Sequence, residues 1–168
     1  MVYAILSAVL YLISFPLTGI DFSLWPIVFV GLVPLFVSLD RAGSMAAQCA
    51  RGAAWGAIMS LGMGYWLVYA MIWQYGTSVV TAVLFMIFGL ALPHALIFTV
   101  FSLLYGLLRE TKPVFYLLSV PSLWVIMEYS REIIPLLVPW GLAGYALQPW
   151  NLFTQMADCT GIYGLSFV

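Results

Sequence analysis

The sequence is constrained most by the run from Val79 to Leu108, which contains no Asp, Glu, Lys or Arg. As a helix rising about 1.5 Å per residue, this run is longer than the roughly 30 Å hydrocarbon core of a bilayer. We therefore expect it to cross a membrane with a tilt, or with a kink near Gly89 and Pro93.

The composition extends this expectation to the whole chain. Hydrophobic residues make up 65% of the sequence and charged residues only 7%, whereas about a quarter of the residues of soluble domains are charged. The formal net charge of -1 leaves no basic patch for nucleic acid. The composition indicates a membrane protein.

The apolar segments predict an all-α fold, a polytopic membrane helix bundle with about five complete transmembrane helices plus the start of a sixth. The first segment lacks a basic n-region and a small-residue cleavage site, so it is predicted to be a retained anchor. Because the last segment is short, we expect a truncated coding sequence. The helices are predicted at 2–15, 25–39, 52–72, 79–108 and 114–134, with an outer loop at 135–151 and the sixth helix starting at 161–168.

Basic residues in the short connections predict the orientation. Arg41, Arg51, Arg109 and Lys112 fall in the second and fourth connections, and the other connections hold only Arg131. Short loops rich in Lys and Arg stay in the cytoplasm. This bias predicts a cytoplasmic N-terminus and places the region 128–150 at the outer face.

The third segment contains two local patterns, one of small residues and one of aromatic residues. Small residues spaced three and four apart, from Gly52 to Gly64, indicate close helix packing. Aromatic residues then cluster at its end. They are typical of an interfacial belt, and the alternative is the wall of a lipid-headgroup or acyl-chain site. These aromatic residues are Tyr65, Trp66, Tyr69, Trp73 and Tyr75.

The single histidine and the two cysteines suggest no catalytic set. His94 follows Pro93 in an apolar run, where a hydrogen-bonded buried imidazole is favoured over a proton relay or a ligand. Cys49 and Cys159 lie in no metal-binding pattern, and the predicted topology places them too far apart for a disulfide. We therefore expect no metal and no cofactor.

The fifth segment ends in three charged residues that are costly at membrane depth. Glu128 shares one helix face with Arg131 and Glu132, and Trp124 lies one turn before it. Ionisable groups in such a place indicate a functional site. One interpretation is an ion pair that fixes helix packing; in the other, Arg131 binds a phosphate while Glu128 holds Arg131 in place.

The loop that follows adds a rigid turn and amphipathic aromatic residues. Pro139, Trp140 and Gly141 are followed by Gly144 and Tyr145. A non-helical loop at this depth needs protein or water around it, which favours a cavity. The residues alone therefore predict a polytopic membrane domain with a polar pocket at its outer face.

Three motifs, in this order and spacing, resemble the membrane portion of bacterial apolipoprotein N-acyltransferases. Earlier residues also look like that family's first and third helices, so the resemblance covers essentially the whole chain. The three motifs are Pro121 to Trp124 with Glu128 and Arg131, then Pro139 to Gly141 with Gly144 and Tyr145, then Gly161 to Phe167; the earlier residues are Ser14 to Pro16, Trp25 with Pro26, and Gly64 to Trp66.

The resemblance implies a multi-pass enzyme of the bacterial inner membrane. Such an enzyme transfers an acyl chain from a phospholipid to the amino group of a lipoprotein's N-terminal cysteine, through a thioester on a Glu-Lys-Cys triad in a nitrilase-like domain. That domain would begin beyond Val168, so this chain would hold no catalytic residue and would be inactive alone. It would supply an anchor and an outer-face lipid site with candidates Trp124, Glu128, Arg131, Pro139, Trp140, Gly141, Tyr145, Tyr65 and Trp66.

Two alternatives stay open. The chain could be a non-enzymatic membrane module, a carrier subunit or scaffold whose Glu128 and Arg131 bind a substrate or a partner helix. A similar domain is also joined to polyprenol-phosphate glycosyltransferases in some bacteria. Under the favoured interpretation the partners are a phospholipid acyl donor, a lipoprotein acceptor and membrane lipid, with no nucleic acid.

Overall fold

A computed structural model describes residues 1–16, 24–108 and 113–168, and in these ranges the chain is helical and contains no strand. The elements follow one another as α1 (Val2–Ile13), a 3-10 turn (Trp25–Ile27), α2 (Val28–Gly31), α3 (Val33–Asp40), α4 (Met45–Gly64), α5 (Trp66–Trp73), α6 (Val79–Leu84), a π-helix (Phe85–Ala91), α7 (Leu92–Leu108), α8 (Pro113–Ile133), α9 (Ala143–Ala146) and α10 (Asn151–Phe167). Arg109 and Lys112, two of the basic residues that predict the membrane orientation, lie outside the described residues.

The structure confirms the all-helical bundle but not the number of spans. The stretch Val79–Leu108 is long and apolar enough to cross a membrane, and α4 with α5 would count as a second span across a bend of 47°. Val2–Ile13 and Trp25–Asp40 are shorter apolar helices. Five complete transmembrane helices therefore stay a prediction.

The irregularity expected in the longest helix is a π-helical segment that ends just before Pro93. Proline has no N–H group to donate to the carbonyl of Gly89, one turn back, so the regular ladder cannot continue there. A π-helical turn absorbs such a break without ending the helix.

Two helices begin earlier than the hydrophobic pattern predicted. α4 begins at Met45 instead of residue 52, because the Ser44 hydroxyl caps it by accepting a hydrogen bond from Ala47 N at 3.2 Å. α10 begins at Asn151 instead of residue 161, and Gly161, at φ 66°, interrupts it where the sixth helix was expected to start. The predicted outer loop contains the single turn of α9.

The core is built around one close helix contact and one aromatic cluster. α4 lies against α7, where a Cβ added to Gly52 would be 2.4 Å from the carbonyl oxygen of Phe98, so only glycine permits this approach. Beside this contact, five aromatic rings pack edge to face or tilted with centroids 4.6 to 6.2 Å apart. They are Tyr11, Trp55, Phe98, Phe101 and Trp124.

A separate polar cluster lies at the other end of the bundle. Tyr105 donates its hydroxyl proton to Asp40 at 2.9 Å, and Arg51 donates to the carbonyl of Ser38. The guanidinium of Arg41 lies 5.1 Å from the ring centroid of Tyr3. These contacts join α1, α3, α4 and α7 far from the charged end of α8.

Candidate functional site

The segment 138–144, called here the loop segment, follows α8 and includes the first two residues of α9. It is held by side chains from four helices. Each of five backbone groups in it faces a polar side chain from elsewhere in the chain, and we call these five side chains the loop clamp. The pairs are Val138 O with His94 Nε2 (3.3 Å), Trp140 O with Arg131 Nη2 (2.6 Å), Gly141 O with Tyr11 Oη (2.8 Å), Ala143 N with Glu128 Oε1 (2.7 Å) and Gly144 N with Ser166 Oγ (3.0 Å).

Glu128 is fully buried and binds two donors through one oxygen. Oε1 accepts hydrogen bonds from Trp124 Nε1 at 3.0 Å and from Ala143 N at 2.7 Å, and the residue is 0% exposed. The first bond follows from the i, i+4 spacing on α8. The second places a carboxylate at the first turn of α9, whose backbone N–H groups have no partner within the helix.

Arg131 is 1% exposed, and its guanidinium donates to the carbonyl of Trp140. Among the described residues, Glu128 and Arg131 are not bonded to each other: each bonds to the backbone of the loop segment. This differs from both sequence interpretations, since neither a direct ion pair nor a carboxylate holding the guanidinium in place is formed. The two charges act on one loop from one helix.

His94 and Tyr11 complete the clamp from α7 and α1. His94 is 1% exposed, with Nδ1 2.8 Å from the Leu90 carbonyl oxygen and Nε2 facing Val138. This agrees with the favoured buried imidazole. Tyr11 is fully buried and donates its hydroxyl proton to Gly141 O.

The loop segment also packs against the bend between α4 and α5. The Trp140 and Trp66 rings lie 5.2 Å apart between centroids. Gly141 has φ 65°, and a Cβ there would be 2.6 Å from Cε of Met63. The left-handed backbone therefore favours glycine at this position, and a larger residue would also have to displace the flexible end of Met63.

The remaining candidate residues lie at the edge of this arrangement. Pro139 is half-buried, directly before Trp140. Tyr145 and Tyr65 are 48% and 45% exposed. The structure thus brings together Trp124, Glu128, Arg131, Trp140, Gly141 and Trp66, and leaves the two tyrosines on the surface.

An apolar cavity of about 200 Å³ is lined by residues of α2, α3, α8, α9 and α10. Aliphatic and aromatic side chains line most of it, including Leu32 and Phe36. Its wall also includes Ser166, a member of the clamp, and Trp124 and Ala143, which both donate hydrogen bonds to Glu128. The clamp therefore fixes part of the cavity wall.

Two buried polar atoms of the clamp have no hydrogen-bond partner in the described part of the chain: Glu128 Oε2 and Arg131 Nε. No group of three or more metal-ligating side chains occurs among the described residues. Both cysteines are free thiols. The described site offers polar groups for positioning, and no assembled nucleophile, base and orienting group.

The sequence patterns did not predict Tyr11 or Ser166 as parts of this site. Each lies in an apolar run, where a single hydroxyl group gives a weak signal. The available signal is the cost of burying a hydroxyl without a hydrogen bond, which requires every such group to have a partner. That requirement says that a partner exists and does not identify it.

Known proteins resemble this chain over most of its length. Residues 7–168 match the family model described as the apolipoprotein N-acyltransferase N-terminal domain. The apolipoprotein N-acyltransferase of Geobacter metallireducens is 33% identical over 170 residues, which cover 98% of this chain and 30% of that protein. The proteins of the same name from Pseudomonas paraeruginosa and Borreliella burgdorferi are 28% and 26% identical, over 91% and 83% of this chain and 30% and 25% of their own lengths.

The fold and site define an all-helical bundle of membrane-protein composition, with a non-helical segment fixed by buried polar side chains. The comparisons are more specific. The chain belongs to the apolipoprotein N-acyltransferase family, of which it matches the N-terminal domain, and it spans about 25 to 30% of the length of these relatives.

Proposed function

We propose that this chain is the membrane domain of an enzyme that transfers an acyl chain from a phospholipid to the N-terminal cysteine amino group of bacterial lipoproteins. The family match supports the reaction, because the relatives are named apolipoprotein N-acyltransferases. One structural observation supports a substrate-positioning role: the loop clamp fixes a non-helical segment beside an apolar cavity.

The clamp has the properties expected of a support for a lipid site. Burying a charged side chain is costly unless it is hydrogen-bonded, and Glu128 and Arg131 each form a hydrogen bond with the backbone of the loop segment. The loop segment in turn sets the position of Trp140 and of the cavity wall at Ala143. An apolar cavity with a few fixed polar groups is typical of sites that bind an alkyl chain.

The candidate residues then divide into two roles. Glu128, Arg131 and Gly141 position the loop segment, with Trp124 and Pro139 beside them. Trp140, Trp66, Tyr65 and Tyr145 offer aromatic surface to the lipid, since amphipathic rings favour the membrane interface. Since the chain spans about 25 to 30% of the length of its relatives, we assign acyl transfer to parts of such enzymes outside this domain and expect this chain alone to be inactive.

The site is proposed to lie at the outer face of the bacterial inner membrane, with the N-terminus in the cytoplasm. The distribution of basic residues supports this orientation. A reporter that is active only outside the cytoplasm, fused after Trp150, tests it. The proposal expects signal from this fusion, and a silent fusion that is made in normal amount overturns the orientation.

The positioning role is tested with Arg131→Ala in the full-length protein that carries this domain. Arg51→Ala is a matched control, because Arg51 also donates to a backbone carbonyl, at the opposite end of the bundle. We expect Arg131→Ala to lower acyl transfer at least tenfold, since Trp140 O loses a charge-assisted bond of about 1.5 to 3 kcal/mol. Arg51→Ala should retain most of the activity.

Membrane insertion is measured on the same samples. Wild-type acyl transfer in an inserted Arg131→Ala protein would refute the positioning role. If the protein inserts only poorly, Arg131→Lys decides the question: it keeps a donor and a charge but loses the planar fork. We expect the Lys variant to insert and to have intermediate activity, and full activity in this variant would also contradict the proposal.

A further inference from the structure

Of the motif from Gly161 to Phe167, the function proposed so far uses only Ser166, as a member of the loop clamp. Two of its side chains, Tyr163 and Ser166, are three residues apart on α10 and point toward α8 and the loop segment. Tyr163 donates its hydroxyl proton to Glu132 Oε2 at 2.5 Å, and Ser166 Oγ accepts a hydrogen bond from Gly144 N at 3.0 Å. The motif therefore contacts the charged end of α8.

The two glutamates of α8 match this spacing. Glu128 and Glu132 are one helical turn apart, so both lie on the same side of α8. Tyr163 lies opposite Glu132. Glu128 Oε1 and Ser166 Oγ accept hydrogen bonds from the consecutive amides of Ala143 and Gly144, so the Ser166 hydroxyl lies beside the Glu128 carboxylate. As numbers rise along α10 they fall along α8, which is the order of two antiparallel helices.

The approach of α10 is close enough for such pairs. A Cβ added to Gly144 would be 2.6 Å from the carbonyl oxygen of Ile162, so glycine is needed where α9 meets α10. The rings of Tyr129 on α8 and Tyr163 on α10 pack edge to face, 5.5 Å apart between centroids, and form a further contact between these two helices.

Glu128 and Ser166 have complementary hydrogen-bonding groups. Glu128 uses Oε1 for both of its donors, and Oε2 is buried without a partner among the described residues. Ser166 Oγ uses a lone pair for Gly144 N, and a serine hydroxyl also has one proton to donate, free to rotate. The buried acceptor Glu128 Oε2 therefore lacks a donor, while the neighbouring Ser166 hydroxyl has a proton available to donate.

We propose that Ser166 is a positioning residue that donates its hydroxyl proton to Glu128 Oε2 while accepting the hydrogen bond of Gly144 N. Glu128 is then held by three donors, Trp124 on α8, Ala143 on α9 and Ser166 on α10, which together fix its orientation toward the loop segment. The bond itself stands independently of the reaction. Its importance for acyl transfer rests on the proposed function.

Hydrogen exchange of single amides tests the bond directly, in the full-length protein in lipid nanodiscs. Ala143 N is bound by Glu128 and Gly144 N by Ser166, so the two amides report separate steps. The matched variants are Ser166→Thr and Ser166→Val, which have nearly the same size and differ in the hydroxyl. Ser166 borders the cavity, so the added methyl groups have space.

We expect Ser166→Val to speed exchange roughly 3- to 10-fold at both amides, the effect of losing one buried hydrogen bond at each step. Ser166→Thr should restore slow exchange. Ser130→Ala is the control, because that hydroxyl bonds to Met127 O within α8, and it should change neither amide. In a Glu128→Gln background, Ser166→Val should have a clearly smaller effect at Ala143.

Faster exchange at Gly144 alone would overturn the proposal, because Ser166 would then act only as a cap of α9. Equal exchange in the Thr and Val variants would overturn it as well, because the hydroxyl would then have no role. Acyl transfer is assayed separately on the same preparations. Loss of the proposed function would leave the exchange result standing, and an unchanged exchange pattern would refute Ser166 whatever the activity.

Discussion

The contact between α4 and α7 and the loop clamp stabilise one bundle by opposite means. At the α4–α7 contact, Gly52 and Gly56 bring two helices together through the absence of side chains, and packing between surfaces is the source of stability. At the clamp, buried hydroxyl, imidazole, carboxylate and guanidinium groups hold a segment that is non-helical up to the first turn of α9. The first region is sensitive to volume and the second to hydrogen-bonding chemistry.

This difference follows from the backbone of each region. A helix satisfies its own N–H and C=O groups, so two helices need only complementary shape. The loop segment leaves such groups open, and a buried open group costs about as much as a lost hydrogen bond. The chain supplies the missing partners from α1, α7, α8 and α10, which explains why polar residues occur in these apolar helices.

The largest expected effect tests the sensitivity to volume. Gly56→Leu places its Cβ 2.5 Å from His94 O and 2.7 Å from Phe98 Cδ2, so the helices must separate. We expect the free energy of unfolding to fall by about 3 kcal/mol, measured as a lower thermal midpoint in detergent. Gly43→Leu is the control, since no atom lies within 4 Å of an added Cβ; equal midpoints for the two variants would contradict the close-contact account.

The next effect tests the sensitivity to chemistry at similar volume. Glu128→Leu leaves Trp124 Nε1 and Ala143 N without their acceptor, and we expect a loss of about 2 kcal/mol in the free energy of unfolding. Glu128→Gln keeps one acceptor oxygen and should lose about half as much. Glu132→Gln, at an exposed position on the same helix, should change it by less than about 0.5 kcal/mol. If the Leu and Gln variants at position 128 lost the same free energy of unfolding, the acceptor oxygen of Glu128 would not contribute to the stability of the clamp.

A smaller effect separates ring packing from hydrogen bonding in a single residue. Tyr11→Phe keeps the ring contacts with Trp55 and Trp124 and removes the bond to Gly141 O. We expect a loss of about 1 kcal/mol in the free energy of unfolding, with Tyr3→Phe, partly exposed, as the control. Unchanged stability in Tyr11→Phe would mean that the loop carbonyl finds another donor and that the clamp has one member fewer.

The α4–α7 contact and the loop clamp also differ in how many of their features could be predicted from the sequence. The glycine spacing on α4 and the alignment of Trp124, Glu128 and Arg131 on α8 are local patterns, so they were predicted from positions one or two turns apart. The irregularity near Pro93, which the structure shows as a π-helical segment, follows in the same way from the chemistry of one residue. Local sequence patterns also predicted the Pro-Trp-Gly turn after α8.

The partners of the clamp are a different case. Tyr11 and Gly141 are 130 positions apart, and no periodic pattern connects them. The sequence prediction was that Glu128 and Arg131 interact with each other, whereas in the structure each bonds to the loop segment. It was incomplete in its chemistry, because spacing gives adjacency on a helix and does not show that both side chains turn toward a loop. Early helix starts at Met45 and Asn151 were missed because polar residues in the first turns masked the apolar pattern.

The central claim is that Glu128 and Arg131 stabilise the loop segment separately instead of pairing with each other. Exchanging the charges, with Glu128→Arg and Arg131→Glu in one protein, tests it most directly. Arginine cannot accept the bonds from Trp124 Nε1 and Ala143 N, and glutamate cannot donate to Trp140 O when ionised. We predict that the thermal midpoint of the exchanged protein is no higher than that of the weaker single variant. Recovery toward the wild-type midpoint would show that mutual attraction of the two charges is what the bundle requires, and would contradict the account.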